Sequence, residues 1–217
     1  MKINSWICAA AAMALVACGP LNEDTAASRI MGQATARIMG TPPPASTGLG
    51  ITQEQVLANP GQFMRVNIRN FDQWDTMAQT GQNGRRVTWV NGNNISLTLQ
   101  DGIMVATRGL PRDLMGAETA ETRQAIRAGG GIAQRTHEYI TDVDAISSEL
   151  LQCRIASQGA EAIEMLHETH NSVRFEEKCA GEKLEFTNVY WVNARGTIIR
   201  SLQAVSPDAG YLQIDVF

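Results

Sequence analysis

The sequence predicts a mainly β fold, an antiparallel barrel or sandwich of many short strands, with one or two short N-terminal helices ahead of it. Three observations lead there. From Phe63 onward the apolar residues recur with period two instead of the helical 3.6. Asn83-Gly84, Gly92-Asn93 and Asp101-Gly102 interrupt that pattern at short intervals, and such pairs favour tight hairpins. The connections between runs are too short to hold the crossovers that a parallel sheet needs.

The chain begins with a minimal basic region, Lys2, followed by a short apolar run from Ile7 to Val16. A membrane-spanning helix takes about 20 apolar residues, so residues 1–17 read as a signal peptide rather than a span. The run ends in Leu15-Val16-Ala17-Cys18, and small residues before a cysteine at this point resemble the bacterial lipobox. That resemblance implies cleavage after Ala17, diacylation of the Cys18 thiol and acylation of the new amine. An ordinary signal peptide with a chance cysteine is the alternative. Two or more acyl chains anchor a protein stably, whereas one is marginal. By the same analogy, the non-acidic Gly19 implies sorting to the outer membrane, facing the periplasm.

Residues 18–50 read as a tether between lipid and body. A short amphipathic helix fits 23–40, where Ile30, Met31, Ile38 and Met39 recur at helical spacing. The three prolines of "TPPPASTG" (41–48) then stiffen a spacer and end any helix. Residues 51–217 form the mainly β domain. It opens on a second short helix, with Thr52 and Gln55 spaced as a capping box and Asn59-Pro60-Gly61 as the stop. Strands follow in "FMRVNIRNF", "RRVTWV", "NISLTLQ" and "GIMVATR"; Ile95, Leu97 and Leu99 share one face of the third. One or two helical turns fit 118–131, before a glycine run. Strand patterns then resume through "AQRTHEYIT", "ISSELLQCRIA", "AEAIEMLHE", "SVRFEEKC", "LEFTNVYWVN", "TIIRSLQAV" and "GYLQIDVF", with a hairpin turn at 193–196.

With 217 residues and 44% hydrophobic content, the chain is long enough for one real core. A net charge of −4 and a pI near 5.4 argue against a broad electrostatic grip on nucleic acid. Of the four cysteines, Cys8 leaves with the signal peptide and Cys18 carries lipid. Cys153 and Cys179 remain as an even pair in an oxidising compartment, which predicts a disulfide. In the chain-entropy model its loop of about 27 residues is worth roughly 3.5 kcal/mol.

Candidate site residues cluster at "ATRGLPRDLM" (106–115). An Arg108–Asp113 brace across the bend shaped by Gly109 and Pro111 is one reading. An anion or sugar site built by Arg108 and Arg112 is the other. Tyr190 and Trp191 alternate, so a regular strand turns only one of them inward and leaves the other as a surface anchor for protein or polymer. "HETH" places His167 and His170 three apart, which is not the i, i+4 pairing of a zinc helix and falls on opposite faces of a strand. A solvated hairpin is expected there, and no metal. His137 is expected at the surface or hydrogen-bonded within a strand. No G-x-S-x-G elbow, phosphate loop or dinucleotide fingerprint occurs, so no enzyme and no cofactor is expected.

The lipobox, "VTWV…ISLTLQDGIMVATRGLPRDLM", the pair Cys153 and Cys179, "FTNVYWVNARGTIIRSLQAVSP" and the terminal "GYLQIDVF" together resemble the YjbF/GfcB family of lipoproteins. The resemblance is clearest over about residues 50 to 217. It implies a mainly β protein that assists production and export of exopolysaccharide or group 4 capsule. Such proteins are encoded beside an outer-membrane β-barrel partner and a small periplasmic protein. A non-enzymatic accessory that docks on that barrel is therefore expected. The alternative is a polysaccharide-binding or polysaccharide-modifying protein.

Overall fold

The computed structural model describes residues 51–141 and 145–217. The signal peptide, the lipidation at Cys18 and the 18–50 tether lie outside the described residues. Helix α1 (Gln53–Ala58) opens on the expected capping box. The Gln55 amide donates to Thr52 Oγ1 at 3.2 Å, and the Thr52 amide donates to Gln55 Oε1 at 2.8 Å. Just beyond it, the Gly61 amide donates to the carbonyl of Phe217 at 2.6 Å, tying the two ends of the body together.

Twelve antiparallel strands follow: β1 (Phe63–Ile68), β2 (Gln73–Asn83), β3 (Arg86–Val90), β4 (Ser96–Gln100), β5 (Ile103–Arg108), β6 (Leu114–Glu118), β7 (Gly130–Ile140), β8 (Ile146–Met165), β9 (Glu168–Ala180), β10 (Glu185–Val192), β11 (Ile198–Ser206) and β12 (Gly210–Val216). They form one sheet in the order β5-β4-β3-β2-β1-β12-β11-β10-β9-β8-β7-β6, rolled into a nearly closed barrel. Chain neighbours are therefore sheet neighbours, except where β12 pairs with β1 and where β5 and β6 stand at opposite ends. Asp101 and Gly102, at φ 51° and 85°, make the β4–β5 turn with both residues left-handed, as the mirror-image hairpin turns require.

Three details depart from the sequence expectation. β2 and β6 are strands that the apolar period did not mark. β2 ends in a polar, exposed stretch, and it is a strand because it pairs with β1 in one register and with β3 across a shift between Gln79 and Gly81. β8 is one long strand where two were expected. A bulge between Ser157 and Gly159, with Gly159 at φ 96°, shifts its register without breaking it.

Alternation sends one face of every strand inward. Met64, Leu97, Leu99, Leu212 and Ile214 fill the part of the interior between β1, β4 and β12. Each side chain fully buried in this way contributes roughly 1.5–3 kcal/mol. A second cluster, with Leu151, Ile155, Phe175 and Tyr190, lies under helix α2 (Ala120–Arg127), which adds Ala125 and Ile126 to it. The helix also reaches the β10–β11 turn, where Arg123 Nη2 donates to the Gly196 carbonyl at 2.6 Å. Beyond its bulge, the β8–β9 hairpin lays Ile163 and Met165 on Ile199, with Trp191 and Phe217 alongside.

Candidate functional site

The 108–114 corner joins the two end strands of the sheet. Here the expected Arg108–Asp113 pairing is corrected. The Asp113 carboxylate accepts from the Thr107 hydroxyl at 2.8 Å and from the amides of Gly109 and Leu110 at 2.8 and 3.0 Å. Arg108 donates instead to carbonyls, those of Thr107, of Leu114 at 3.2 Å and of Met115 at 3.4 Å. Strand alternation explains the exchange: Thr107 and Arg108 leave β5 on opposite faces, and Asp113 returns on the face of Thr107. Arg112, at φ 52°, reaches Asp208 at 3.7 Å and lies 5.7 Å from the Tyr139 ring centre. Arg108 and Arg112 thus engage different partners, and the corner does not bring them to one anion.

The same contacts hold the barrel seam. Among the described residues no backbone ladder joins β5 to β6. The Leu114 amide donates to Thr107 Oγ1 at 3.0 Å in place of a strand carbonyl. From β11, Gln203 reaches across the interior; its Oε1 accepts the Met104 amide at 2.8 Å and its Nε2 donates to the Gly102 carbonyl at 3.1 Å. Alongside residues 105–108 and 115–118 the seam opens into a groove of about 390 Å³. Arg86, Thr98 and Arg108 line one side and Gly116, Glu118 and Glu138 the other. Arg86 meets Glu118 across it at 3.7 Å. A β-carbon at Gly116 would stand 2.8 Å from Glu138 Oε2, so glycine lets that carboxylate lie over the groove floor.

Tyr190 and Trp191 divide as alternation requires. Tyr190 is the inward one and fully buried, so it is no surface anchor. Its hydroxyl donates to Glu177 at 2.7 Å. The same carboxylate accepts from Thr122 at 2.6 Å, Arg135 at 2.8 Å and Asn188 at 2.8 Å. Glu177 and Arg135 are a buried ion pair, with side chains 0% and 1% exposed. Burial first, and then Glu177, push the Tyr190 phenol well above its ordinary range. Trp191 faces outward but is half-covered by the β8–β9 hairpin. The Glu177 network escaped the sequence reading, although its members sit in inward rows: Ala133, Arg135, His137 and Tyr139 on β7, and Phe175, Glu177 and Cys179 on β9.

Cys153 and Cys179 stand directly opposite on β8 and β9 and are bonded, as expected. Their sulfurs and the Glu177 carboxylate lie within 4.8 Å of one another, a grouping that could hold an ion only with both thiols free. His167 lies in the exposed two-residue turn between β8 and β9, and His170 on β9. His137 is inside the barrel, not at the surface, with Nδ1 3.0 Å from the Tyr139 hydroxyl and its ring stacked on Phe186. Burial, and then the charge of Arg135, hold its imidazole well below the ordinary range. The unfolded chain therefore takes up a proton below about pH 6.5 that the folded chain refuses, and stability falls as pH drops. The expected loss is about 1.4 kcal/mol per pH unit until the folded pKa is reached. His137→Leu should flatten this slope; urea unfolding at pH 7.0, 6.0 and 5.0 measures it, and an unchanged slope would exclude His137 as its source.

The match that decides the family spans residues 25–217, to the model described as group 4 capsule polysaccharide lipoprotein gfcB, YjbF. The chain belongs to this family. Its fold also resembles the crystal structure of the hypothetical lipoprotein YmcC from Escherichia coli K12, with a TM-score of 0.66 at 16% identity. That likeness covers 84% of this chain and 92% of the other, and at this identity it concerns the fold alone. No curated protein matches the chain.

Proposed function

We propose that this chain is an outer-membrane-anchored, periplasm-facing lipoprotein that assists capsule or exopolysaccharide production without catalysing a reaction. It acts by docking onto an outer-membrane β-barrel protein of the same secretion system. The family match over residues 25–217 carries this reading. The lipobox ending at Cys18 supports the anchor. A lipid tether raises the effective concentration of the body near any partner in the same membrane.

Deletion is expected to lower surface polysaccharide, and Cys18→Ser to lower it as far through mislocalisation. Fractionation and polymer quantification in the same strains check both. Normal polymer in the deletion strain would refute the role; normal polymer with Cys18→Ser protein soluble in the periplasm would refute the anchor. Pull-down of the lipidated protein from gently solubilised outer membranes should recover a β-barrel protein.

Glu118 and Glu138, two carboxylates in one groove, favour a second reading, a polysaccharide-modifying protein. On the accessory reading, Glu138→Gln leaves the chain length of the secreted polymer unchanged. A change in that length would favour the enzyme.

A further inference from the structure

The seam groove is bounded by two strand edges, so an added β-strand is the first occupant to weigh. Strand addition needs free backbone amides and carbonyls along an edge. Here side chains already hold four of them: Arg108 takes the Leu114 and Met115 carbonyls, Thr107 the Leu114 amide, and Gln203 the Met104 amide. Capping an edge in this way is how sheets refuse further strands. The groove offers side-chain chemistry instead.

Two of its charges lack a counter-charge among the described residues. Arg108 donates only to neutral carbonyls, and no cation engages Glu138. Arg86 and Glu118, by contrast, have each other. A guanidinium without a carboxylate is set to take one from a ligand, since charge-assisted pairing is the strongest bond it can make. A free carboxylate beside threonine hydroxyls suits the hydroxyl groups of a sugar ring. The groove spans about four residues of each strand, roughly 10 Å at the strand rise. Its 390 Å³ falls within the size of small-ligand sites.

We propose that the seam groove binds a short stretch of acidic polysaccharide, with a ring carboxylate on Arg108 and ring hydroxyls on Glu138. The choice of ligand rests on the polysaccharide role argued above. Ala106, on the groove wall, gives the cleanest test: Ala106→Phe fills the space while keeping every hydrogen bond described, and phenylalanine suits a strand.

Isothermal titration of the full lipidated chain in detergent, with tetragalacturonate and cellotetraose as probes, reads the result. Tetragalacturonate should bind the native chain and lose at least about tenfold in affinity with Ala106→Phe at unchanged Tm; Arg108→Gln, which removes one charge-assisted contact, should cost about the same with tetragalacturonate and little with cellotetraose. Absence of binding to the native chain, or binding that survives Ala106→Phe, overturns the assignment. Loss of a co-purifying protein with Ala106→Phe, without any sugar binding, overturns it in favour of a protein interface. Polymer measured in the deletion strain separates the two failures. Lost polymer without sugar binding sinks only the groove, whereas normal polymer sinks the accessory role itself.

Discussion

Glu177→Leu is expected to destabilise the barrel by about 3–5 kcal/mol, the usual cost of leaving one member of a buried ion pair alone. Arg135 would keep its charge in the interior, left with the neutral Tyr190 phenol and the Phe186 ring, whose centre lies 5.7 Å from the guanidinium. Burial by itself lowers the Arg135 pKa, and the Glu177 charge, Tyr190 and the hydrogen bonds to both together more than reverse that. Without Glu177 the largest part of that compensation is lost. The hydroxyls of Thr122 and Tyr190 would also lose their acceptor, and the Asn188 amide would be left with the Tyr190 hydroxyl at 3.2 Å. Arg135→Met added to Glu177→Leu removes the stranded charge, so the double variant should be more stable than Glu177→Leu alone. It should stay below the native chain, because each orphaned neutral donor still costs about 1–3 kcal/mol. A double-mutant cycle in urea measures the coupling. A coupling below about 1 kcal/mol would show that water or another group reaches Arg135, contrary to its burial. A buried pair is weak evidence of net stability, and its larger effect here is geometric. One carboxylate fixes α2, β7 and β10 against β9, so the helix is held on the barrel by a bond of definite direction.

Period-two alternation was enough to find ten of the twelve strands, and the two it missed show its limit. β2 reads "QWDTMAQTGQN", and its polar second half stays exposed, so no apolar row marks it. β6, "LMGAE", is too short to establish a period beside a proline and a glycine. Both are strands because neighbours supply the ladder, which is a property of the partners and not of the segment. The corner failed differently. The spacing of Arg108 and Asp113 suggested a pair, but the face on which Asp113 returns depends on a loop whose path the sequence leaves open. The alternation of Tyr190 and Trp191 was legible, yet alternation alone does not say which face is inside. The groove was not legible at all: Arg86 on β3 meets Glu118 on β6 only because the sheet curls through twelve strands to bring its ends together.

The disulfide supplies the second large effect. Cys153→Ala with Cys179→Ala is expected to lower stability by about 3.5 kcal/mol, since freeing a loop of about 27 residues returns entropy to the unfolded chain. The β8–β9 ladder already holds these two residues opposite each other, with α-carbons 4.1 Å apart, so the folded state gains little from the bond itself. The effect should therefore appear in the unfolded state, as a larger urea m-value alongside the lower midpoint. Both cysteines are at most 2% exposed, so a reductant should not reach them until the barrel opens. Thiol accessibility measured across the urea transition should then follow unfolding. A loss below about 1 kcal/mol would mean that the unfolded chain keeps the β8–β9 hairpin without the bond. The sulfurs lie within 4.8 Å of the Glu177 carboxylate, and residues in contact rarely act independently. Combining Glu177→Leu with the cysteine pair should therefore depart from the sum of their separate losses. Strict additivity would mean that the ion pair and the disulfide, although adjacent, support the barrel through separate sets of contacts.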